Sequence, residues 1–358
     1  MSQMIPNIID PVEVSWQKEL AQAYRDPKKL LTDLKLDPVS FESGFAARKL
    51  FPVMVPRPFM RRMQQGNPND PLLRQVITDV KEFTAAPGYS EDPLEEQQGA
   101  VPGLLHKYKS RVLMIIRGGC AVNCRYCFRR HFPYEDNALS KRGWQQALDY
   151  IAADQNINEV IYSGGDPLMA KDNFLGWITE QLEAIGHLRR LRIHSRLPVV
   201  IPSRLTAEFL DWFINSRLTP VLVLHINHAN EIDDELTAKL QPLKQAGVTL
   251  LNQAVLLNGV NDSVEAQVRL SEALFRAGIL PYYLHLLDKV QGAAHFDTQE
   301  QQARILMEGI IRRLPGYLVP KLVREIGNQP GKTPLDLHLH PGSGKPGDLS
   351  GESIDSRA

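Results

Sequence analysis

The chain has three cysteines, Cys120, Cys124 and Cys127, in the segment Arg117-Gly-Gly-Cys-Ala-Val-Asn-Cys-Arg-Tyr-Cys-Phe-Arg-Arg-His131. An odd, tightly clustered set does not read as a disulfide framework. Three thiolates supplied by one loop at Cys-x3-Cys-x2-Cys spacing read as a metal or cluster site. A [4Fe–4S] cluster ordinarily takes four cysteines, so three leave one iron open to a substrate or cosubstrate. A zinc site completed by His131 is an accepted Cys3His set, and three buried structural thiols would need no metal. The position of the loop and a second motif weigh against both.

That second motif is Ser163-Gly164-Gly165-Asp166-Pro167, 36 residues after Cys127. Paired glycines at the end of a strand allow close backbone approach to a ligand. Alone, the motif reads as an ordinary strand-to-helix turn. Ser195 and Arg196 end a third strand-like run, where barrel-rim polarity is the plain explanation. Lys332 follows Gly331 in a Gly/Pro loop and by itself reads as a solvated lysine. His225, His228, His338 and His340 carry little metal signal, because His338 and His340 alternate on an expected strand with no other ligand nearby.

These residues need a scaffold, and the hydrophobic rhythm supplies one from Arg111 onward. Strand-length apolar runs fall at Val112 to Ile116, Glu159 to Tyr162, Arg190 to His194, Pro220 to Ile226, Thr249 to Leu256 and Pro281 to Leu287. Amphipathic stretches of helical length lie near Lys141 to Ala152, Asn173 to Ile185, Thr206 to Asn215, Asp233 to Ala246, Ser263 to Ala277 and Gln299 to Arg312. Six strand–helix units imply parallel strands joined by crossover helices. Runs such as Val221 to Leu224 fit a sheet covered on its outer face. An open sheet and a barrel both satisfy the pattern, though only six units can be counted. The cysteine loop follows the first strand and the glycine motif ends the second, where parallel α/β folds collect their active sites.

The flanks differ in character. Residues 1–110 read as a helical N-terminal extension punctuated by proline, with candidate helices at Val12 to Tyr24, Pro27 to Leu34 and Pro58 to Gln65. Residues 111–312 form the strand–helix core and residues 313–340 a C-terminal segment. In that segment Tyr317 to Glu325 and Leu335 to His340 look like short strands. Residues 341–358 contain four Gly, four Ser and two Pro and read as a disordered tail.

Of 358 residues, 41 are Lys or Arg and 41 are Asp or Glu, a balance that argues against nucleic-acid binding through bulk charge. Hydrophobic residues make up 43% and charged residues 23%, as in soluble domains, and the length suffices for a large core without staples. No run of 18 apolar residues suggests a membrane span, and no signal-peptide layout is visible. The expected location is the cytoplasm.

The cysteine loop, with Tyr126 before its last cysteine, and the Ser163–Pro167 motif resemble the radical S-adenosylmethionine (SAM) superfamily. Segments Val101 to Tyr108, Cys124 to Arg130, Asn227 to Glu231, Asn252 to Asp262 and Asp288 to Phe296 resemble the lysine 2,3-aminomutase family, over roughly residues 45 to 336. Among its branches the chain is most similar to the short one that makes (R)-β-lysine for modifying bacterial translation elongation factor P.

This resemblance implies an α/β fold, a partial (β/α)6 barrel, with a C-terminal segment binding pyridoxal phosphate (PLP). It implies an isomerase that moves the α-amino group of L-lysine to the β-carbon. The cofactors would be a [4Fe–4S] cluster on Cys120, Cys124 and Cys127, SAM, and PLP held as an imine by Lys332. The loop before Lys332 has fewer glycines than the family's. Gly164, Gly165, Asp166, Ser195 and Arg196 match SAM-contacting positions, and Lys107 and Arg111 match phosphate-binding ones. Arg129 matches the arginine for the substrate carboxylate. Asp288 matches one of two acids for the ε-ammonium, the second falling at Glu325. The zinc-binding cysteines of longer relatives have no counterpart here.

Implied partners are L-lysine as small-molecule substrate, a flavodoxin- or ferredoxin-type reductant and the ligase acting on elongation factor P, with no nucleic acid and no membrane. The alternatives are an aminomutase for another amino acid, which an acid at Asp288 disfavours for glutamate, and a non-catalytic metal-stabilised interaction protein.

Overall fold

The computed structural model describes residues 15–339, apart from 98, 136, 138, 328 and 330. Nine strands form one sheet in strict sequence order. They are β1 (Leu104–Tyr108), β2 (Arg111–Arg117), β3 (Glu159–Gly164), β4 (Arg190–Ser195), β5 (Thr219–Leu224), β6 (Thr249–Val255), β7 (Leu280–His285), β8 (Lys321–Arg324) and β9 (Thr333–Pro334). Strands β2 to β8 run parallel. β1 and β9 add antiparallel edges.

Four short helices precede the sheet: α1 (Trp16–Ala21), α2 (Pro27–Asp33), α3 (Arg57–Met60) and α4 (Pro71–Arg74), with a run of 3₁₀ turns over Pro38–Lys49. The crossovers are α5 (Lys141–Ala153), α6 (Asp172–Glu183), α7 (Leu197–Val200) with α8 (Ala207–Ile214), α9 (Asp234–Gln245), α10 (Val264–Arg276) and α11 (Glu300–Ile311). These are the six strand–helix units expected from the sequence.

Each crossover helix begins and buries itself for local reasons. In α5 the Ser140 hydroxyl accepts the Gly143 N–H, satisfying a donor that the first turn leaves open. Trp144, Ala147, Leu148 and Ile151 then fall on one face, three or four residues apart, and bury against the sheet. Ser263 caps α10 through the Ala266 N–H in the same way. β3 is buried nearly along its length, with Val160, Ile161 and Tyr162 covered, whereas β4 and β6 alternate buried and half-buried positions.

Among the described residues β9 does not pair with β1, so the barrel is partial and has a seam. Side chains bridge it. The Tyr108 hydroxyl at the end of β1 donates to Glu325 Oε1 just past β8 at 2.8 Å, and Lys107 Nζ lies 3.6 Å from the same oxygen.

The flanks depart from expectation. The N-terminal segment, read as helical, also supplies β1, because Leu104–Tyr108 folds back on β2 across the two-residue turn Lys109-Ser110. A boundary at residue 110 therefore cuts a hairpin. Trp16, Leu30, Leu31, Phe59, Leu72 and Leu73 join the barrel's core, so this segment packs as part of it. The helix expected over Pro58 to Gln65 ends at Met60, and the one expected over Val12 to Tyr24 covers Trp16–Ala21, with residues 12–14 outside the described range. The strand expected over Leu335 to His340 is replaced by Thr333–Pro334. Gly316–Leu318 forms a 3₁₀ turn ahead of β8. His340 and the tail lie outside the described residues.

Candidate active site

The carboxyl ends of the parallel strands open into one cavity of about 1720 Å³, including space open at its mouth. The lining contains Lys107, Arg111, Cys120, Cys124, Cys127, Arg129, Gly164, Gly165, Asp166, Arg196, Asp288, Glu325 and Lys332. Residues more than 200 positions apart in sequence thus share one chamber. Of the expected site residues, Ser195 stands just behind the wall, reaching the cavity through Asp166.

At one end lies the cysteine loop. Burial pushes the Cys127 thiol up to about 11 and the Cys120 thiol well above its usual range, in each case helped by neighbouring thiols. Iron must therefore displace protons to load. Among the described residues no three His, Cys, Asp or Glu side chains converge on a single metal ion. A four-iron cluster does not ask for convergence, since each thiolate binds a different iron and the three need only ring it. The same spacing suits a zinc ion completed by His131 poorly.

The glycine motif explains how the loop is held. The Gly165 N–H donates to the Arg117 carbonyl at 2.7 Å and the Asp166 N–H to the Gly119 carbonyl at 3.0 Å. Gly164 sits at φ +128°, and a Cβ on Gly165 would stand 2.3 Å from the Gly118 carbonyl oxygen. The close approach that these glycines permit is thus to the cysteine loop's own backbone. Asp166 and Ser195, matched in sequence to SAM contacts, are engaged with the chain. Asp166 accepts from the Ser195 hydroxyl at 2.7 Å and from the backbone N–H groups of Leu168, Arg196 and Leu197.

Arg196 reaches back across the cysteine loop. Its Nη1 lies 2.7 Å from Cys124 Sγ, and its Nη2 donates to Gln75 at 2.7 Å and to Glu231 at 2.9 Å. Tyr126 and Asn227 join this network. Gln75, Asn227 and Glu231 were not singled out from sequence as site residues, although Asn227 to Glu231 carried part of the family resemblance. Nothing local about Gln75 could have marked it.

At the other end, Lys332 Nζ donates to Glu325. Burial pushes the Glu325 carboxyl up, but the Lys332 ammonium, with Tyr108 and Lys107, outweighs it and brings it to about 2. Asp288 lines the same chamber, and among the described residues no cation lies within ion-pair distance of it. Burial, reinforced by Glu325, pushes it up to about 7. Lys107 pairs with Glu96 at 3.1 Å, and Arg111 stacks on the Tyr108 ring with its guanidinium carbon 4.0 Å from the centroid. The Tyr282 and Tyr283 rings lie 3.8 Å apart, with Lys332 Nζ 5.9 Å from the Tyr283 centroid.

Arg129 stands between the two ends. Its Nε and Nη2 both contact Glu96 Oε2 at 2.8 Å and its Nη1 donates to Ser163 at 3.0 Å. The fork expected for a substrate carboxylate is therefore already taken on one edge. Three histidines line the cavity: His194 in β4, His225 just after β5 and His285 in β7. Burial lowers all three, His225 to about 3. His194 Nε2, His285 Nε2, Arg196 Nε and Gln253 Oε1 are buried without a hydrogen-bond partner. Orphaned polar atoms around one chamber are what a bound polar ligand would satisfy. His228 caps a turn through the Asn230 N–H, and His338 is exposed beside Asp336.

A parallel barrel with three cysteines ringing one end of its cavity and a lysine at the other defines a cluster-bearing radical enzyme. The radical SAM superfamily model matches residues 114–270. The L-lysine 2,3-aminomutase of Escherichia coli (strain K12) is 56% identical over 330 residues, which is 92% of this chain and 96% of that protein. That of Haemophilus influenzae is 55% identical over 322 residues, 90% and 95% of the two chains. The Clostridium subterminale enzyme is 38% identical over 280 residues, 77% of this chain and 67% of that longer one. The chain belongs to the L-lysine 2,3-aminomutase family. The donor set fits the three groups that family membership implies: a [4Fe–4S] cluster, SAM and PLP.

Proposed function

We propose that this protein converts L-lysine to β-lysine, with (R)-β-lysine as product. The observation that carries the reading is the single cavity lined by both the cysteine loop and Lys332. When bound, the cluster and SAM supply a carbon radical that removes a β-hydrogen, and PLP supplies the π-system across which nitrogen migrates. The chain's own task is to hold and orient.

In this reading Lys332 is the PLP lysine, and Lys107 and Arg111 supply cationic charge for its phosphate. Lys332 must leave Glu325 to serve, which frees Glu325 to share a substrate ammonium with Asp288. Arg129 presents its remaining N–H groups to the substrate carboxylate, while Glu96 keeps the guanidinium plane fixed. Cys120, Cys124 and Cys127 hold the cluster. Gly164, Gly165, Asp166 and Ser195 fix the rim that SAM meets, and Arg196 lines the same cavity. The described parts of the N-terminal segment (1–110) and the C-terminal segment (313–340) flank the core (111–312), contributing β1 at one edge of the sheet and β9 at the other.

The protein works in the cytoplasm with a flavodoxin- or ferredoxin-type reductant and supplies β-lysine to the ligase that modifies elongation factor P. The near-complete overlap in length with the Escherichia coli and Haemophilus influenzae relatives supports that placement. No helix among the described residues is long and apolar enough to cross a membrane. The test is anaerobic incubation with SAM, PLP, dithionite and each of the twenty amino acids, followed by chiral chromatography. β-Lysine from lysine alone is expected. Turnover of another amino acid in preference to lysine rejects the substrate, and a colourless, iron-free protein with stoichiometric zinc rejects the whole reading.

A further inference from the structure

We propose that Arg196 sets the reduction potential of the cluster, through an N–H···S bond to Cys124. This rests on the cysteine loop holding an iron–sulfur cluster, which the test below checks separately.

Arg196 is held on every side. Its backbone N–H donates to Asp166 Oδ2 at 2.8 Å. Its Nη2 is fixed by Gln75 from the N-terminal segment and by Glu231 from beyond β5. Its guanidinium carbon lies 5.4 Å from the Phe59 ring centroid and 5.7 Å from that of Tyr126. These contacts leave Nη1 directed at Cys124 Sγ, 2.7 Å away, with the Tyr126 hydroxyl as its other acceptor. The side chain is 6% exposed and Glu231 0%. A buried cation without its carboxylate would be costly. Paired this way, the two form a dipole whose positive end faces the sulfur.

The other two thiols are served differently. Cys127 accepts a backbone N–H from Arg129, and Cys120 feels Arg129 only through space. The charged donor falls on the middle cysteine, so the cluster's surroundings are asymmetric.

The consequence concerns one electron. Reduction by an external one-electron donor adds a negative charge to the assembly of irons, sulfides and thiolates. A fixed N–H donor and positive dipole end at one sulfur stabilise the reduced form more than the oxidised one, which raises the potential. No motion of Arg196 is required.

The experiment uses the full chain, reconstituted anaerobically, with iron and sulfide counted per chain and the potential measured by mediated redox titration without substrate. Arg196→Gln keeps a hydrogen-bonding side chain and removes the charge. Its reduction equilibrium is expected to weaken about tenfold, which is about 59 mV for one electron. Arg196→Lys restores charge but not the fork and should fall between that variant and wild type. A merely structural role would lower iron content without this graded order of potentials. An unchanged potential in iron-replete Arg196→Gln overturns the proposal. Should Arg196→Gln not assemble iron, Arg196→Lys decides, because it keeps the buried charge and changes only the fork. A potential below wild type supports the bond, and no shift or an upward one overturns it. Wild type that takes up no iron would instead sink the cluster reading itself.

Discussion

At the cysteine end of the cavity most polar groups have partners within the chain. Asp166 takes four donors, Arg196 is clamped by Gln75 and Glu231, and Glu82 binds Arg125 and Arg130 together at complete burial. At the lysine end the arrangement is looser. Glu325 is shared by Lys332, Tyr108 and Lys107, Asp288 has no cation within ion-pair distance among the described residues, and two histidines have unpartnered nitrogens. One end is over-determined and the other can exchange partners. The contrast follows from the tasks. A cluster needs its ligands fixed, whereas a lysine that must take up a cofactor, and acids that must take up an ammonium, need partners they can leave.

The largest effects should separate the two ends. Cys120→Ala, Cys124→Ala and Cys127→Ala are each expected to abolish cluster assembly, because three ligands leave no spare. Iron and sulfide analysis checks this, and full iron in any one of them contradicts the assignment. Lys332→Ala should lose borohydride-trappable PLP while keeping iron. Loss of both cofactors together would show that the two ends are not independent.

Next comes the clamp beneath the cysteine loop. Glu82→Gln leaves Arg125 and Arg130 buried without their carboxylate, and removing one partner of a buried ion pair costs about 3–5 kcal/mol. Denaturant unfolding of the apo chain should show this loss, and a change below about 1 kcal/mol would mean that the cysteine end is less tightly determined than its geometry indicates.

The smallest effect lies at the lysine end. Asp288→Asn should lower kcat/KM for lysine by about tenfold, or about 1.4 kcal/mol, and leave norleucine, which lacks the ammonium, unaffected. The Asp288 carboxyl is raised to about 7, so its charged form is present above that pH and lost below it. Lysine kcat/KM should accordingly rise as pH passes upward through about 7, and the Asn variant should lose that limb. An unchanged lysine-to-norleucine ratio would remove Asp288 from the substrate site.

Much of this was legible in the sequence because the relevant patterns are local. The strand–helix alternation from Arg111 to Arg312 appears in the fold with ends displaced by at most two residues, since burial of one face per element dictates period and length. The flanks were harder to read. β1 is five residues long and has only half an apolar pattern, so it becomes a strand only by pairing with β2. The run Leu335 to Leu339 alternates as a strand should, yet among the described residues only Thr333–Pro334 pairs with β8.

Residue types and spacing alone therefore determined the cysteine loop, the glycine turn, the six-unit core and a short set of charged residues worth watching. Those are properties of neighbours along the chain, where steric limits and hydrophobic period act directly. Which of those residues meet was decided by the tertiary structure. It turned the paired glycines toward the cysteine loop's backbone, took Asp166 and Ser195 into the scaffold, brought Gln75 and Glu231 to Arg196, and set Tyr108 and Lys107 on Glu325 across the barrel's seam. The reason is physical. A buried charge must find a partner or be neutralised, and that partner is chosen by proximity in the folded chain, which residue spacing does not encode.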